Sequence, residues 1–231
     1  MNARHPAILD AFAERFAAAH TALVIIDMQN DFCVDGYAAS AAGRPLAAAQ
    51  GIIPSIARLL AAAREAGVLV CHVGFWTLPD HGSDSGPWLA QRRRSTYASD
   101  RIAIADTHGA AFVDALAPLG GELQIRKHRY SAFKGTDLDM LLRAQGIRSV
   151  VTTGVSTNVC VESTLREAFE LGYYLCVPRD GCASWDASLH AATLRNVEAR
   201  FGIVGDVDGL TEVWRSPASA PSPLSRKDAA R

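Results

Sequence analysis

Val150-Val-Thr-Thr-Gly-Val-Ser-Thr-Asn-Val-Cys-Val-Glu-Ser-Thr164 opens as a buried β-strand and then changes character, gathering small polar residues ahead of one cysteine. A short, uncharged, β-branched run reads as a strand covered on both faces. From Asn158 to Leu171 apolar residues recur every three or four positions, which predicts a helix closed by Gly172. A strand that leads through a tight polar turn into a helix is the repeating unit of a parallel sheet.

The same unit recurs along the chain. Ala22-Leu-Val-Ile-Ile-Asp27, Val68-Leu-Val-Cys-His-Val73, Glu122-Leu-Gln-Ile-Arg126, Ser149 to Thr153, Tyr173-Tyr-Leu-Cys-Val177 and Phe201-Gly-Ile-Val204 read as six strands. Helical spacing runs through Ile52 to Ala66, Asp137 to Gln145 and Ala187 to Arg200, with Gly67 and Gly146 placed as caps. Right-handed crossovers then give an α/β fold: a doubly wound, Rossmann-like parallel six-stranded sheet with helices on both faces. Residues 1–215 are read as a single domain, and 216–231, rich in Ser, Pro and Ala, as a disordered tail. Residues 76–108 break the alternation with Pro79, Gly82, Gly86, Pro87 and Arg92-Arg93-Arg94, which fits either a lid or an oligomer contact.

Composition narrows the function. In 231 residues, 49% are hydrophobic and the formal net charge is -1, so a large core is available and neither nucleic acid nor an anionic membrane is the expected partner. Five cysteines, an odd number, are read as thiols in a reducing compartment. Charges at Arg4, His5, Asp10, Glu14 and Arg15 interrupt the first residues, and no apolar run has the length of a membrane span. A cytoplasmic protein with a small-molecule partner is the expectation.

In such sheets ligands bind beyond the carboxyl ends of the strands. Ile26-Asp-Met-Gln-Asn30 stands where a dinucleotide fold carries Gly-x-Gly-x-x-Gly, and the chain has neither a Gly-x-Ser-x-Gly elbow nor a Cys-x-x-Cys pair. What does fall at strand ends is Asp27, Lys127 and Cys160. A thiol needs help to become a nucleophile. The first turn of a helix favours an anion, an ammonium adds positive charge, and a carboxylate accepts the proton. Singly, each residue has an ordinary use: Asp27 as cap or turn, Lys127 at the surface, a cysteine as a small core hydrophobe. Cys71 and Cys176 are read as core, and Cys33 and Cys182 as pocket wall or structure. Glu162 with Arg166 fits a solvated helix face or a subunit contact.

Three runs together resemble the isochorismatase-like cysteine hydrolases: Ala22 to Phe32, Lys127-His-Arg-Tyr-Ser-Ala-Phe133 and Thr153 to Thr164. The resemblance spans about Thr21 to Val213. It implies a catalytic triad of Asp27, Lys127 and Cys160, a cis peptide between Val155 and Ser156, and an oxyanion hole formed by the backbone N–H groups of Ser156 and Cys160. It also implies a homo-oligomer, either dimer or tetramer. The implied reaction is attack of a thiolate on a carbonyl, loss of ammonia or an amine, and hydrolysis of the thioester.

The nicotinamidase branch of that family holds a metal through an Asp-x-His pair after the second strand. Here His72-Val-Gly-Phe-Trp-Thr-Leu-Pro-Asp-His81 lacks that pair, so no metal and no cofactor are expected. The Arg129-Tyr-Ser-Ala-Phe133 and Thr157 to Thr164 runs are most similar to the ureide-cleaving members, which implies a biuret, triuret or ureidoacrylate type of substrate. N-carbamoyl amino acids, simple carboxamides and a silent binding module are the alternatives. Phe32, Tyr37, Trp76, Arg129, Tyr130, Phe133 and Thr157 are the candidate substrate contacts, with Arg129 available should the substrate carry a carboxylate and Arg92 to Arg94 read as a solvated lid face.

Overall fold

The computed structural model describes residues 8–94, 99 and 101–216; the proposed tail beyond Ser216 lies outside them. Seven parallel strands form one sheet: β1 Thr21–Ile26, β2 Leu69–Phe75, β3 Leu123–Lys127, β4 Ser149–Val155, β5 Tyr174–Pro178, β6 Cys182–Ala183 and β7 Ile203–Gly205. Their order is β3-β2-β1-β4-β5-β7, with β6 pairing β4. The expected count of six is therefore one short. The missing strand is β6, whose two residues extend the last rungs of β4 (Gly154 with Cys182, Val155 with Ala183) and are too few to show a periodicity.

Alternation along β1 explains why its six residues are all buried. Leu23 and Ile25 enter one core, and Ala22, Val24 and Ile26 enter the other. On the first side lie the helices Ala47–Ala66 and Val207–Arg215, which contribute Ile56, Leu59, Leu60, Leu210 and Trp214. On the second lie Leu138–Ala144 and Glu162–Glu170, with Leu138, Leu142, Leu165 and Ala168. The long helix begins five residues before the expected Ile52 and continues through Pro54. Gly67, Gly146 and Gly172 all take the left-handed conformation expected of helix caps.

Two helices start or end differently from the regular pattern. Thr157–Val161 forms a π-turn ahead of Glu162–Glu170, and Val197–Phe201 forms another after Ala187–Asn196. Such widened turns mark places where a regular ladder has given way to another constraint. Among the described residues no helix is long and apolar enough to cross a membrane.

The strand order reverses between β1 and β4: the chain runs outward from β1 to β2 and β3, then returns to pair β4 on the other side of β1. A crevice opens at such a switch point. Gly154 lets the two strands meet there. It has φ 108, and a Cβ added to it would collide with the backbone carbonyl of Ile26, its partner in the pairing. Gly154→Ala is therefore expected to destabilise the protein by at least about 2 kcal/mol, measured by urea unfolding; an unchanged midpoint would show that the junction yields freely.

Candidate active site

Asp27 is the first residue beyond β1, and it takes a left-handed backbone conformation (φ 53), uncommon outside glycine though better tolerated by aspartate than by most residues. Backbone hydrogen bonds hold it there. The Asp27 N–H donates to the Val73 carbonyl (2.8 Å), and its carbonyl accepts from the Gln29 N–H (2.8 Å). Gln29 then clamps the neighbouring strand: its Nε2 donates to the carbonyls of Phe75 (3.0 Å) and Ala110 (2.7 Å), while its Oε1 accepts from the Phe75 N–H (2.8 Å). Asp31 ties down two further loops, accepting from the N–H groups of Ala38 (3.2 Å) and Ala103 (2.6 Å).

Lys127 ends β3, two strands away, and its side chain reaches back over the ring of Phe75 on β2, with Nζ 4.8 Å from the centroid. There Nζ donates to Asp27 Oδ2 (2.8 Å) and to Cys160 Sγ (3.4 Å). Lys127 is wholly buried and Asp27 nearly so. The structure thus brings the three strand-end residues together. Cys160 sits in the π-turn, and its carbonyl accepts from the Thr164 hydroxyl (2.7 Å), which also accepts from the N–H of Ala132 (3.0 Å) in the loop after β3. One threonine therefore joins the cysteine's turn to the loop that follows the lysine.

Burial dominates the electrostatics of the trio. It raises the Asp27 pKa above the ordinary carboxyl value, against the opposing pull of Lys127. Burial works against the Lys127 ammonium as well, but the charges of Asp27 and Cys160 outweigh it and the lysine pKa rises. The Cys160 thiol is pushed up by burial and then by Asp27, with Lys127 pulling the other way. The three groups are therefore coupled, with Lys127 Nζ in contact with both Asp27 and Cys160. Lys127 holds Asp27 through Oδ2, and Oδ1 is buried beside it.

The peptide between Val155 and Ser156 is cis. Ser156 and Cys160 both line a cavity of about 430 Å³, the size of a small-molecule site, into which Asp27 also faces. Ser156 Oγ donates to Asn158 Oδ1 (2.8 Å), as does Ser184 Oγ (2.6 Å), which fixes the Asn158 amide in the wall. Aromatic surface comes from Phe32, Phe75, Trp88, Tyr130 and Trp185.

Of the expected substrate contacts, Phe32 and Tyr130 line this cavity, and the others do not. Tyr37 faces a separate shallow concavity and its hydroxyl bonds His108 Nδ1 (2.6 Å). Trp76 lies under the Arg126 guanidinium, 4.0 Å from it. Arg129 uses Nη1 on the carbonyls of Ser83 (2.9 Å) and His128 (2.6 Å) and braces Trp88 from 5.3 Å. Thr157 is fully buried against His190 Nδ1 (2.9 Å), and Phe133 packs in the core with Tyr173. Cys33 and Cys182 join Cys71 and Cys176 in the cores, away from the cavity wall. Glu162 pairs with Arg166 as expected (2.6 Å) and also accepts from Thr193 Oγ1 (2.6 Å).

Described residues of the 76–108 segment contribute to the cavity wall. Its helix Gly86–Arg94 supplies Trp88, Gln91 and Arg92 to the wall, and Ile102 follows, while Arg93 and Arg94 are exposed. Residues 95–98 and 100 lie outside the described residues. Trp185 and Asp186 were missed by sequence reasoning because they follow β6, a strand with no legible pattern. Arg44 comes from a loop with no periodic signal at all. Among the described residues no group of three or more His, Cys, Asp or Glu is placed to hold a metal ion.

The isochorismatase domain matches residues 21–209, which takes in all seven strands and every residue of the trio. The chain belongs to the isochorismatase family. Within that family, the ureidoacrylate amidohydrolase RutB of Methylorubrum extorquens is 40% identical over 202 residues, covering 83% of this chain and 82% of that protein. Its namesake from Variovorax paradoxus is 36% identical over 227 residues, covering 93% and 90%. A cysteine hydrolase from Pseudomonas syringae superposes with a TM-score of 0.77 at 25% identity, covering 86% of this chain and 94% of that one. This isochorismatase-family protein is therefore an enzyme of the hydrolase type.

Lys127→Met would strand the Asp27 carboxylate without its counter-charge. We expect a loss of roughly 3–5 kcal/mol in urea unfolding at neutral pH, largely recovered in Asp27→Asn/Lys127→Met. With the lysine gone, the folded-state pKa of Asp27 rises further above its ordinary 3.8, so the deficit should grow as pH climbs past that value and vanish below it. A double variant no more stable than the single would count against a buried ion pair.

Proposed function

We propose that this enzyme hydrolyses a linear C–N bond of a small ureide through a thioester on Cys160. One observation carries the reading: the side chains of Cys160, Lys127 and Asp27 are buried in mutual contact at the wall of a cavity of small-molecule size. The ureidoacrylate amidohydrolases at 36–40% identity support the ureide class.

In the proposed sequence Cys160 Sγ attacks the substrate carbonyl carbon while its proton passes to Asp27, whose raised pKa suits it to that task. The carbonyl electron pair moves onto oxygen, and the backbone N–H groups of Ser156 and Cys160 are assigned to stabilise it. When the C–N bond breaks, Asp27 returns the proton to nitrogen, which leaves as ammonia or an amine. Water then attacks the thioester carbonyl and Asp27 takes the water's proton; as the C–S bond breaks and the acid product leaves, Asp27 passes that proton to Sγ and the thiol is restored. Lys127 keeps its charge throughout and offsets whichever of Asp27 and Cys160 is negative.

Cys160→Ser should lower kcat for ammonia release by roughly 10³-fold or more, with Asp27→Asn comparable, because a unit of interdependent groups fails as a whole. The assay is ammonia release from ureidoacrylate analogues, biuret, triuret, N-carbamoyl amino acids and nicotinamide, with mass spectrometry of acid-quenched enzyme to find the acyl group on Cys160. Undiminished turnover by Cys160→Ser would eliminate the thioester route.

A further inference from the structure

The turn that carries Cys160 is gripped from one side by a single stretch of chain. Ser184 Oγ donates to Asn158 Oδ1 (2.6 Å) and accepts from Ser156 Oγ (3.3 Å). In the helix Ala187–Asn196, His190 Nδ1 lies 2.9 Å from Thr157 Oγ1, and Thr193 Oγ1 donates to Glu162 Oε2 (2.6 Å). Ser156, Thr157, Asn158 and Glu162 are therefore all held from residues 184–193. Within the turn, the Glu162 N–H reaches back to the Thr157 carbonyl, and the Ser156 carbonyl accepts from the N–H groups of Val159 and Val161.

A π-turn is rare because its ladder competes poorly with the α-helical one, so support from outside the ladder decides whether it forms. That support meets the turn at Thr157. Its carbonyl takes the widened bond, its side chain is fully buried, and the His190 ring is the hydrogen-bond partner of its hydroxyl. A buried hydroxyl that loses its partner is costly. Burial holds the His190 pKa below its ordinary value, so at neutral pH the ring meets the hydroxyl as an uncharged group. Neither Thr157 nor His190 lines the cavity, whereas Ser156 and Cys160 both do. Whatever fixes Thr157 therefore fixes the direction of the backbone on either side of it. Cys160 has further ties of its own, from Lys127 Nζ to its sulfur and from the Thr164 hydroxyl to its carbonyl.

We propose that His190 is a positioning residue for acyl transfer: by holding Thr157 it sets the backbone of the 156–160 turn, and with it the amides assigned to the oxyanion. The inference rests on the thioester reading above and adds a residue that stands behind the cavity wall. Loss of His190 impairs attack at a carbonyl but leaves the sulfur, held by Lys127, close to its usual reactivity. The other two braces do not replace it, because Ser184 holds the Ser156 and Asn158 side chains and Thr193 holds the far end of the turn.

The test compares two reactions of one thiol in the whole chain. Acylation by p-nitrophenyl acetate, followed by nitrophenolate release, passes through a tetrahedral oxyanion, and alkylation by iodoacetamide does not. Cys160→Ala sets the blank for each. His190→Ala should slow acylation by roughly 10- to 100-fold and alkylation by no more than about 3-fold. His190→Asn, whose amide can stand where Nδ1 stands, should recover most of the loss. Thr157→Val should reproduce His190→Ala, and the double variant should be no slower than either, because the two side chains act through one bond. Equal losses in the two reactions mark a merely structural contact and overturn the proposal, as does undiminished acylation. Both rates are read in the same variant, so a poorly folded protein loses both and counts against the idea. An unmodified enzyme alkylated at Cys160 but not acylated there would remove the oxyanion assignment and the proposal with it. Ammonia release separates this inference from the ureide reading. If no ureide is cleaved while acylation still depends on His190, the substrate class falls and the positioning role stands; ureide cleavage with unchanged kcat in His190→Ala would do the reverse.

Discussion

A lysine with no exposed surface is the constraint around which the rest of this site is arranged. Lys127 is buried beside Asp27 and Cys160, and removing an ammonium from water is tolerable only if negative charge and hydrogen-bond acceptors meet it inside. Asp27 supplies the charge, and Phe75 supplies the π-face beneath it. Each of the three groups changes the proton affinity of the others. The result is three buried groups whose proton affinities are set jointly.

Holding that set together is the work of the switch point. β1 and β4 pair at the centre of the sheet and both end at the crevice, so Asp27 and the Ser156–Cys160 turn are neighbours because of strand order. The residues around Asp27 are less free than their polarity suggests. Gln29 and Asp31 are buried clamps whose partners lie 46 to 81 residues away for Gln29 and 7 and 72 for Asp31. Their bonds satisfy the backbone of loops that must leave the sheet without a regular ladder. The motif Asp-Met-Gln-Asn-Asp is thus half chemistry and half scaffolding.

Aromatic packing seats the helix Gly86–Arg94 at the cavity. Trp88 stacks near both Phe75 and Tyr130, at 6.2 and 4.5 Å between ring centroids, so the cover over the cavity is anchored to β2 and to the loop after β3. That packing presents Gln91 and Arg92 from the same helix to the cavity. Asp27, Lys127 and Cys160 stand at the sheet edge, while Trp88, Gln91 and Arg92 reach the cavity from the helix Gly86–Arg94. One fold can therefore keep its chemistry and alter its preferences by changing the cover.

Much of this was legible in the chain itself. The parallel sheet followed from apolar runs such as Ala22 to Ile26, because a strand covered on both faces has no polar alternation to show. The trio at Asp27, Lys127 and Cys160 was legible because the crevice rule points to strand ends. What the sequence by itself determined was the class of fold and the types of group at its reactive edge. Tertiary structure alone decided the rest. β6 is two residues long and is a strand only because β4 lies beside it, so Trp185 and Asp186 could not be placed. Tyr37, Trp76, Arg129 and Thr157 have the right chemistry for a pocket, but each is taken up by a partner distant in sequence or by a neighbouring carbonyl. Local patterns report what a segment needs to bury, whereas the wall of a cavity is assembled from side chains whose final direction is set by contacts that no local pattern encodes.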